Sequence, residues 1–188
     1  MRSFRNLALV VYFLDLPIPI YWFILHPFTN FWRRNIRAAF WLAGLTAWIS
    51  AGIFVIAFRD RLLAENDPSF AVVLSVFALV AADFILLFYS GKNLGGRTLV
   101  GHSELSGKNE LKTLGLYKYI RHPRYTGMIA AMIGASILAH TGFAWIVFAI
   151  WIVCVMISVY LEEREMRRRF GPAYEEYSRA TPRYLPWF

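Results

Sequence analysis

Charged residues are scarce in this sequence, and cysteine is almost absent. Only 17% of the 188 residues are Asp, Glu, Lys or Arg, whereas a soluble domain has about 25%. Cys154 is the single cysteine, so the chain can form no disulfide framework and no thiolate metal site, and we expect no metal. Hydrophobic residues make up 58% of the chain, which exceeds what a core of this size can hide. The composition therefore argues against a soluble globular domain and predicts an integral membrane protein.

The apolar residues are gathered into five blocks that are nearly free of charge, at residues 7–25, 38–58, 70–89, 125–139 and 143–161. A membrane-spanning helix needs about 20 residues, and it satisfies its own backbone in lipid. The fourth block is shorter, but the flanking Pro123 and His140 can lie at the interfaces. Pro17 and Pro19 interrupt the first block, which lacks the small-residue cleavage site of a secretory signal. These features predict an all-α, polytopic transmembrane helical bundle of about five spans.

Lys and Arg are unevenly shared between the two membrane faces that five spans would create. The N-terminal face has four of them: Arg2, Arg5, Arg59 and Arg61. The other face has sixteen, in the segments 33–37, 91–124 and 164–183. The positive-inside rule places the N-terminus outside and the C-terminus in the cytoplasm, as in a multi-pass protein of the cell membrane. The basic charge then marks topology and contact with anionic lipids. It does not indicate nucleic-acid binding, because no nucleic-acid-binding motif accompanies it.

The last two predicted spans are joined by the short turn at 140–142, so they must form an antiparallel hairpin whose cytoplasmic ends lie side by side. Pro123 suits the first position of a helix. Arg121 and His122 would then lie at a helix N-terminus, where free amides favour an anion. The alternative is that both residues only anchor the helix at the head-group level. Small residues along the fourth block, in pairs such as Gly127/Ala131, predict close helix packing.

Four carboxylates lie in or directly beside apolar blocks, where they are costly unless they are paired or functional. Glu162 and Glu163 directly follow the fifth block, and i,i+4 pairing of Glu163 with Arg167 on a solvated helix is the structural alternative. Asp15 lies next to two prolines, which favours a structural role. Asp83 either pairs with an arginine or lines a substrate entrance.

Combined, these motifs resemble the isoprenylcysteine carboxyl methyltransferase family, and membrane-embedded phospholipid N-methyltransferases share much of the pattern. The resemblance rests on RHPxYxG at 121–127, Glu162 and Glu163, FGxxYxxY at 170–177 and PRxxP at 182–186. The first 90 residues show only general membrane character. We therefore divide the chain into three N-terminal transmembrane helices at 1–90 and a methyltransferase-like region at 91–188.

The resemblance implies a membrane methyltransferase that uses S-adenosylmethionine and acts on a lipophilic substrate. It also implies a set of cofactor-binding residues: Tyr117, Arg121, His122, Pro123, Tyr125, Gly127, Glu162 and Glu163. Glu163 and Arg183 are the expected catalytic residues, and the tail around Arg183 would close the site.

Chemistry suggests roles for some of these residues. His122 and the helix N-terminus suit the cofactor carboxylate, and a glutamate suits its ammonium or ribose hydroxyls. Tyr117 or Tyr119 would cover the adenine or the sulfonium. An amine or thiol acceptor must also lose a proton, for which Glu163 or His102 is a candidate.

Two other classes of function remain open at this stage. Membrane sterol and steroid reductases share a similar C-terminal pattern but use NADPH, and this chain is short for them. A non-catalytic membrane subunit of the same fold is the other alternative. The methyl acceptor stays undetermined among a prenylated cysteine, a phospholipid amine, a fatty acid and a small thiol or amine.

Overall fold

The computed structural model of the protein describes residues 2–65, 68–95 and 110–186, and these ranges contain helices and no strand. The α-helices are α1 (Arg2–Asp15), α2 (Pro17–Leu25), α3 (Thr29–Trp32), α4 (Ile36–Ala57), α5 (Arg59–Leu62), α6 (Phe70–Leu94), α7 (Pro123–Ala139), α8 (Gly142–Phe170) and α9 (Pro172–Ala180). Short 3₁₀ turns lie at His26–Phe28 and Gly115–Lys118. The predicted all-α class is confirmed.

In the described ranges, four segments are long and apolar enough to cross a membrane: Phe4–Phe28, Ile36–Ala57, Phe70–Leu94 and Gly142–Phe170. They correspond to four of the five predicted spans. The fourth apolar block instead forms α7, which has 17 residues. At 1.5 Å per residue this helix is about 26 Å long, shorter than the hydrocarbon core of about 30 Å. Pro123 begins α7, and His140 ends it with a left-handed φ of 54°.

The first span is broken between α1 and α2. Leu16 separates the two helices, and Pro17 and Pro19 have no backbone N–H to donate to the preceding turn. Pro19 in particular leaves the carbonyl of Asp15 without its helical donor. The indole Nε1 of Trp151 donates to this carbonyl at 2.9 Å. The break in the first span is therefore filled by a side chain of α8.

Helix α7 lies at the centre of the bundle, with eleven of its 17 residues buried. It packs most extensively against α6, next against α1, and less against its hairpin partner α8. The two glycines of α7 face α6. A Cβ at Gly127 would stand 3.0 Å from the Cα of Asp83, and one at Gly134 would meet Leu79 and Val76 at 3.4 Å. The predicted close helix packing is confirmed, with α6 as the partner.

We expect Gly127→Ala to destabilise the fold by about 1–3 kcal/mol, the usual cost of overpacking. The added Cβ would lie 2.6 Å from Oδ1 of Asp83 and would press on the backbone of α6, so one flexible side chain cannot relieve the clash. Gly134→Ala is the matched control, because its nearest contacts are at ordinary packing distances. Thermal unfolding of both variants in detergent measures the difference. Equal shifts of the two midpoints would contradict this account of the packing.

The turn between α7 and α8 is held by Thr141. Its Oγ1 accepts the N–H of Ala144 at 3.1 Å, which caps α8, and donates to the carbonyl of Leu62 at 3.0 Å. The N–H of Ala64 donates to the carbonyl of Ala139 at 2.9 Å. The predicted antiparallel hairpin is therefore confirmed, and the beginning of α7 lies beside the last turns of α8.

Candidate active site

The segment that leads into α7 pairs with the C-terminal tail, residues 181–186. The backbone N–H of Arg121 donates to the carbonyl of Pro182 at 2.8 Å, and that of His122 donates to the carbonyl of Arg183 at 2.9 Å. Pro123 occupies the first helical position, as predicted. The tail therefore lies back over the beginning of α7.

A buried carboxylate joins these two segments to α8. Glu163 is 0% exposed. Its Oε1 lies 3.0 Å from Nη2 of Arg121 and 3.2 Å from Nε2 of His122. Arg183 binds both oxygens, through Nε at 3.0 Å and Nη2 at 2.9 Å. Arg167, one turn further along α8, reaches Oε2 at 3.3 Å. We call these five side chains the Glu163 cluster.

The Glu163 cluster carries more positive than negative charge. Three guanidinium groups surround one carboxylate, and they range from nearly buried to half exposed, at 9% for Arg121, 41% for Arg167 and 49% for Arg183. The hydrogen bond to Glu163 also raises the pKa of Arg183, so this group stays charged. In the described part of the chain, the buried Nε of Arg121 has no hydrogen-bond partner. The cluster therefore has the charge and a spare donor to bind an anion.

Tyrosines and helix α9 hold the other side of this region. The hydroxyl of Tyr177 donates to the carbonyl of Tyr117 at 2.7 Å, and the guanidinium of Arg121 donates to the carbonyl of Ser178. Burial raises the pKa of Tyr177 to about 12, so it remains a neutral donor. Thr126 Oγ1 donates to the carbonyl of Tyr184 at 2.9 Å. Helix α9 and the tail are thus fastened to the segment that begins α7.

The remaining predicted cofactor-binding residues lie outside the Glu163 cluster. Tyr125 is buried, with its ring centroid 5.7 Å from that of His122. Gly127 faces α6. Glu162 is partly exposed and acts electrostatically on Tyr117, whose pKa is raised mainly by burial. Tyr119 is largely exposed. Cofactor binding by these residues stays a prediction.

His102 lies outside the residues that the structure describes, and its role as a proton acceptor stays a prediction. Among the residues that the structure does describe, no group of three or more His, Cys, Asp or Glu side chains is arranged to hold a metal ion.

Sequence reasoning left the partner of Asp83 open, and the structure shows it to be Arg124. This arginine contacts Asp83 through Nη1 and lies 3.4 Å from Oδ1 of Asp15 through Nη2. We call these three side chains the Asp15–Arg124–Asp83 triad. The signal in the sequence was present, since an ionised group inside an apolar span needs a counter-ion. Arg124 is one residue beyond Pro123, but its sequence position did not show which way its side chain points.

A comparison with protein families shows to which family the chain belongs. Residues 71–173 match the family model described as phospholipid methyltransferase, which is more than half of the 188 residues. The chain belongs to this family. The match includes the beginning of α7 and Glu163, and the methyltransferase resemblance of the motifs is confirmed. No solved structure matches the chain significantly.

Several curated relatives are similar at modest identity. Methanethiol S-methyltransferase 1 of Bradyrhizobium diazoefficiens is 29% identical over 138 residues, which is 65% of this chain and 44% of that protein. Methanethiol S-methyltransferase of Crocosphaera subtropica is 27% identical over 54% of this chain and 47% of that protein. The protein-S-isoprenylcysteine O-methyltransferase of Schizosaccharomyces pombe is 27% identical over 81% of this chain and 69% of that protein. The chain thus spans about half the length of the first two relatives.

Proposed function

We propose that this phospholipid methyltransferase family member is a membrane-embedded methyltransferase that takes its methyl group from S-adenosylmethionine. The observation that carries the proposal is the Glu163 cluster, in which three guanidinium groups and His122 meet one buried carboxylate. This cluster lies where the family motif, the end of α8 and the tail come together. Its positive surplus suits a polar ligand with a carboxylate.

The residues fit the donor that the family implies. Arg121, with its unpaired buried Nε, and Arg183 would hold the carboxylate of the methionine part. When bound, S-adenosylmethionine supplies a methyl group on a sulfonium. The protein's main contribution to such an in-line transfer is positioning. Glu163 would act as a positioning residue, because its two oxygens are already in contact with three guanidinium groups and the imidazole of His122.

The acceptor that the observations favour is lipophilic or a small thiol. Two relatives are named for methanethiol and one for isoprenylcysteine, and both kinds of molecule can reach a site through the bilayer. A thiol must lose its proton during the reaction, whereas a carboxylate needs no base. Glu163 is a poor base in this arrangement, since protonation would disrupt the contacts of its cluster.

We place this site at the cytoplasmic face of the cell membrane, with the N-terminus outside and the C-terminus inside. The uneven distribution of Lys and Arg supports this orientation. On this view residues 91–188, with α7, α8 and α9, carry the chemistry, and the helices before residue 90 shape access from the lipid.

Calorimetric titration of the full chain in detergent tests the proposed donor. We expect S-adenosylhomocysteine to bind and NADPH not to bind, because the chain belongs to a family of methyltransferases. Binding of NADPH alone would favour a reductase, and binding of neither ligand would favour a non-catalytic subunit. Incubation with labelled S-adenosylmethionine and methanethiol, an isoprenylcysteine or a phospholipid amine, in parallel, then identifies the acceptor. Failure of all three acceptors to take up label would exclude the proposed acceptor classes.

A further inference from the structure

The Asp15–Arg124–Asp83 triad is a second charged cluster inside the bundle, and its charge is opposite to that of the Glu163 cluster. Asp15 is 2% exposed and Asp83 is 6% exposed. In the described ranges, Arg124 is the one cationic side chain that forms an ion pair with either carboxylate. Two carboxylates against one guanidinium leave a surplus of one negative charge when all three groups are ionised.

The two clusters meet at the beginning of α7. Arg121 and His122 belong to the Glu163 cluster, and Arg124 belongs to the triad. Arg124 lies three positions after Arg121, so their Cα atoms are at most about 11 Å apart. Gly127, for which the resemblance implies a place in the cofactor site, packs directly against Asp83. The triad therefore lies close along the chain to the residues to which the donor is proposed to bind.

A pair of clusters with opposite surplus charges matches a ligand that carries opposite charges at its two ends. S-adenosylmethionine has a carboxylate in its amino-acid part and a sulfonium at its reactive centre. S-adenosylhomocysteine, the product of methyl transfer, has the same carboxylate but a neutral sulfur. The triad would distinguish these two ligands, whereas the Glu163 cluster would not.

We propose that the Asp15–Arg124–Asp83 triad is the negative side of the cofactor site and gives the protein a preference for a ligand that is positively charged at the sulfonium position. The inference rests on the proposed function. On this proposal Asp15 and Asp83 determine ligand specificity through the electric field of their carboxylates. Their charge retains the methyl donor and favours release of the spent, neutral product.

The test is the ratio of affinities for charged and neutral ligands, measured by calorimetry on the full chain. The charged ligands are S-adenosylmethionine and sinefungin, which has an amine in place of the methylated sulfonium, and the neutral ligand is S-adenosylhomocysteine. A unit charge at about 10 Å in an effective dielectric constant of about 20 changes an affinity about 10-fold. We expect Asp83→Asn and Asp15→Asn each to lower the affinity for both charged ligands by about 10-fold. The affinity of these variants for S-adenosylhomocysteine should stay within about two-fold of that of the unmodified protein.

Asp60→Asn is the matched control, because Asp60 is almost fully exposed and pairs at the surface with Arg59. It should leave all three affinities unchanged. If both triad variants weaken the binding of all three ligands equally, the ratio of charged to neutral affinities is unchanged and the triad has only a structural role. That result would overturn this inference but not the proposed function. If the unmodified protein binds none of the three ligands, the proposed function fails and the inference fails with it. Two independent triad variants keep the test decisive if one of them does not fold.

Discussion

Glu163→Gln is expected to lower the affinity for S-adenosylhomocysteine by at least about 100-fold, which corresponds to about 2.7 kcal/mol. The carboxylate of Glu163 holds the guanidinium groups of Arg121, Arg167 and Arg183 at 3.0 Å, 3.3 Å and 2.9 Å, respectively. An amide at this position can neither neutralise three cations nor accept from all of them. The three groups would separate, and the arrangement that fits the ligand carboxylate would be lost.

The fold itself should survive this substitution better than the site does. Arg167 and Arg183 are 41% and 49% exposed, so both side chains can turn towards water when their partner is removed. Only Arg121 is too buried to do so. The unfolding transition in detergent should therefore remain cooperative in a variant that no longer binds the ligand.

Glu165→Gln is the matched control for Glu163→Gln. Glu165 lies two residues further along α8, and no ion pair with Arg121, His122 or Arg183 is found for it among the residues that the structure describes. Calorimetric titration of both variants with S-adenosylhomocysteine measures the contrast. Similar affinities in the two variants would mean that the Glu163 cluster only anchors the end of α8, which is the structural alternative left open by the sequence.

Arg124→Gln is expected to produce the largest loss of stability, about 3–5 kcal/mol, because removing one partner of a buried ion cluster leaves uncompensated charge behind. Here two buried carboxylates lose their shared counter-ion. The triple variant Asp15→Asn, Asp83→Asn, Arg124→Gln should recover much of this loss, since neutral amides of similar size replace the whole cluster.

Thermal or denaturant unfolding of the single and triple variants measures this difference. Arg59→Gln is the control, because Arg59 pairs with an exposed aspartate at 3.6 Å, and exposed pairs contribute at most about 1 kcal/mol. A single variant at Arg124 that is as stable as the control would show that the two carboxylates do not depend on the guanidinium.

The sequence was sufficient for features that depend on neighbouring residues. Pro123 marked the beginning of α7, because proline suits the first helical position. The short turn around Thr141 made the hairpin unavoidable, and the hairpin alone brought the segment at 115–125 next to the end of α8. The cost of a carboxylate beside an apolar block singled out Glu162 and Glu163 as groups that need partners, and Glu163 is the one that the structure shows in ion pairs.

Features that depend on helix rotation and helix choice could not be derived in this way. Helices that are apolar on all sides carry little periodicity, so nothing local showed that Gly127 faces α6 or that Arg124 points towards Asp83. The pairs that join Glu163 to Arg121 and Arg183 span 42 and 20 residues of chain and depend on how the tail folds back. The fourth apolar block was counted as a span although it is short, and the helix that it forms has 17 residues between Pro123 and His140.

Helix α8 is a single helix of 29 residues that contains both an apolar membrane span and Glu163. Glu163 lies about 32 Å along this helix from Gly142 at 1.5 Å per residue, close to the hydrocarbon thickness of about 30 Å. A long apolar helix answers a change in bilayer thickness by tilting. Because the lipid-facing turns of α8 and Glu163 share one axis, such a tilt would move this carboxylate relative to Arg121 at the beginning of α7. The distance between Glu163 and Arg121 would then depend on the thickness of the membrane.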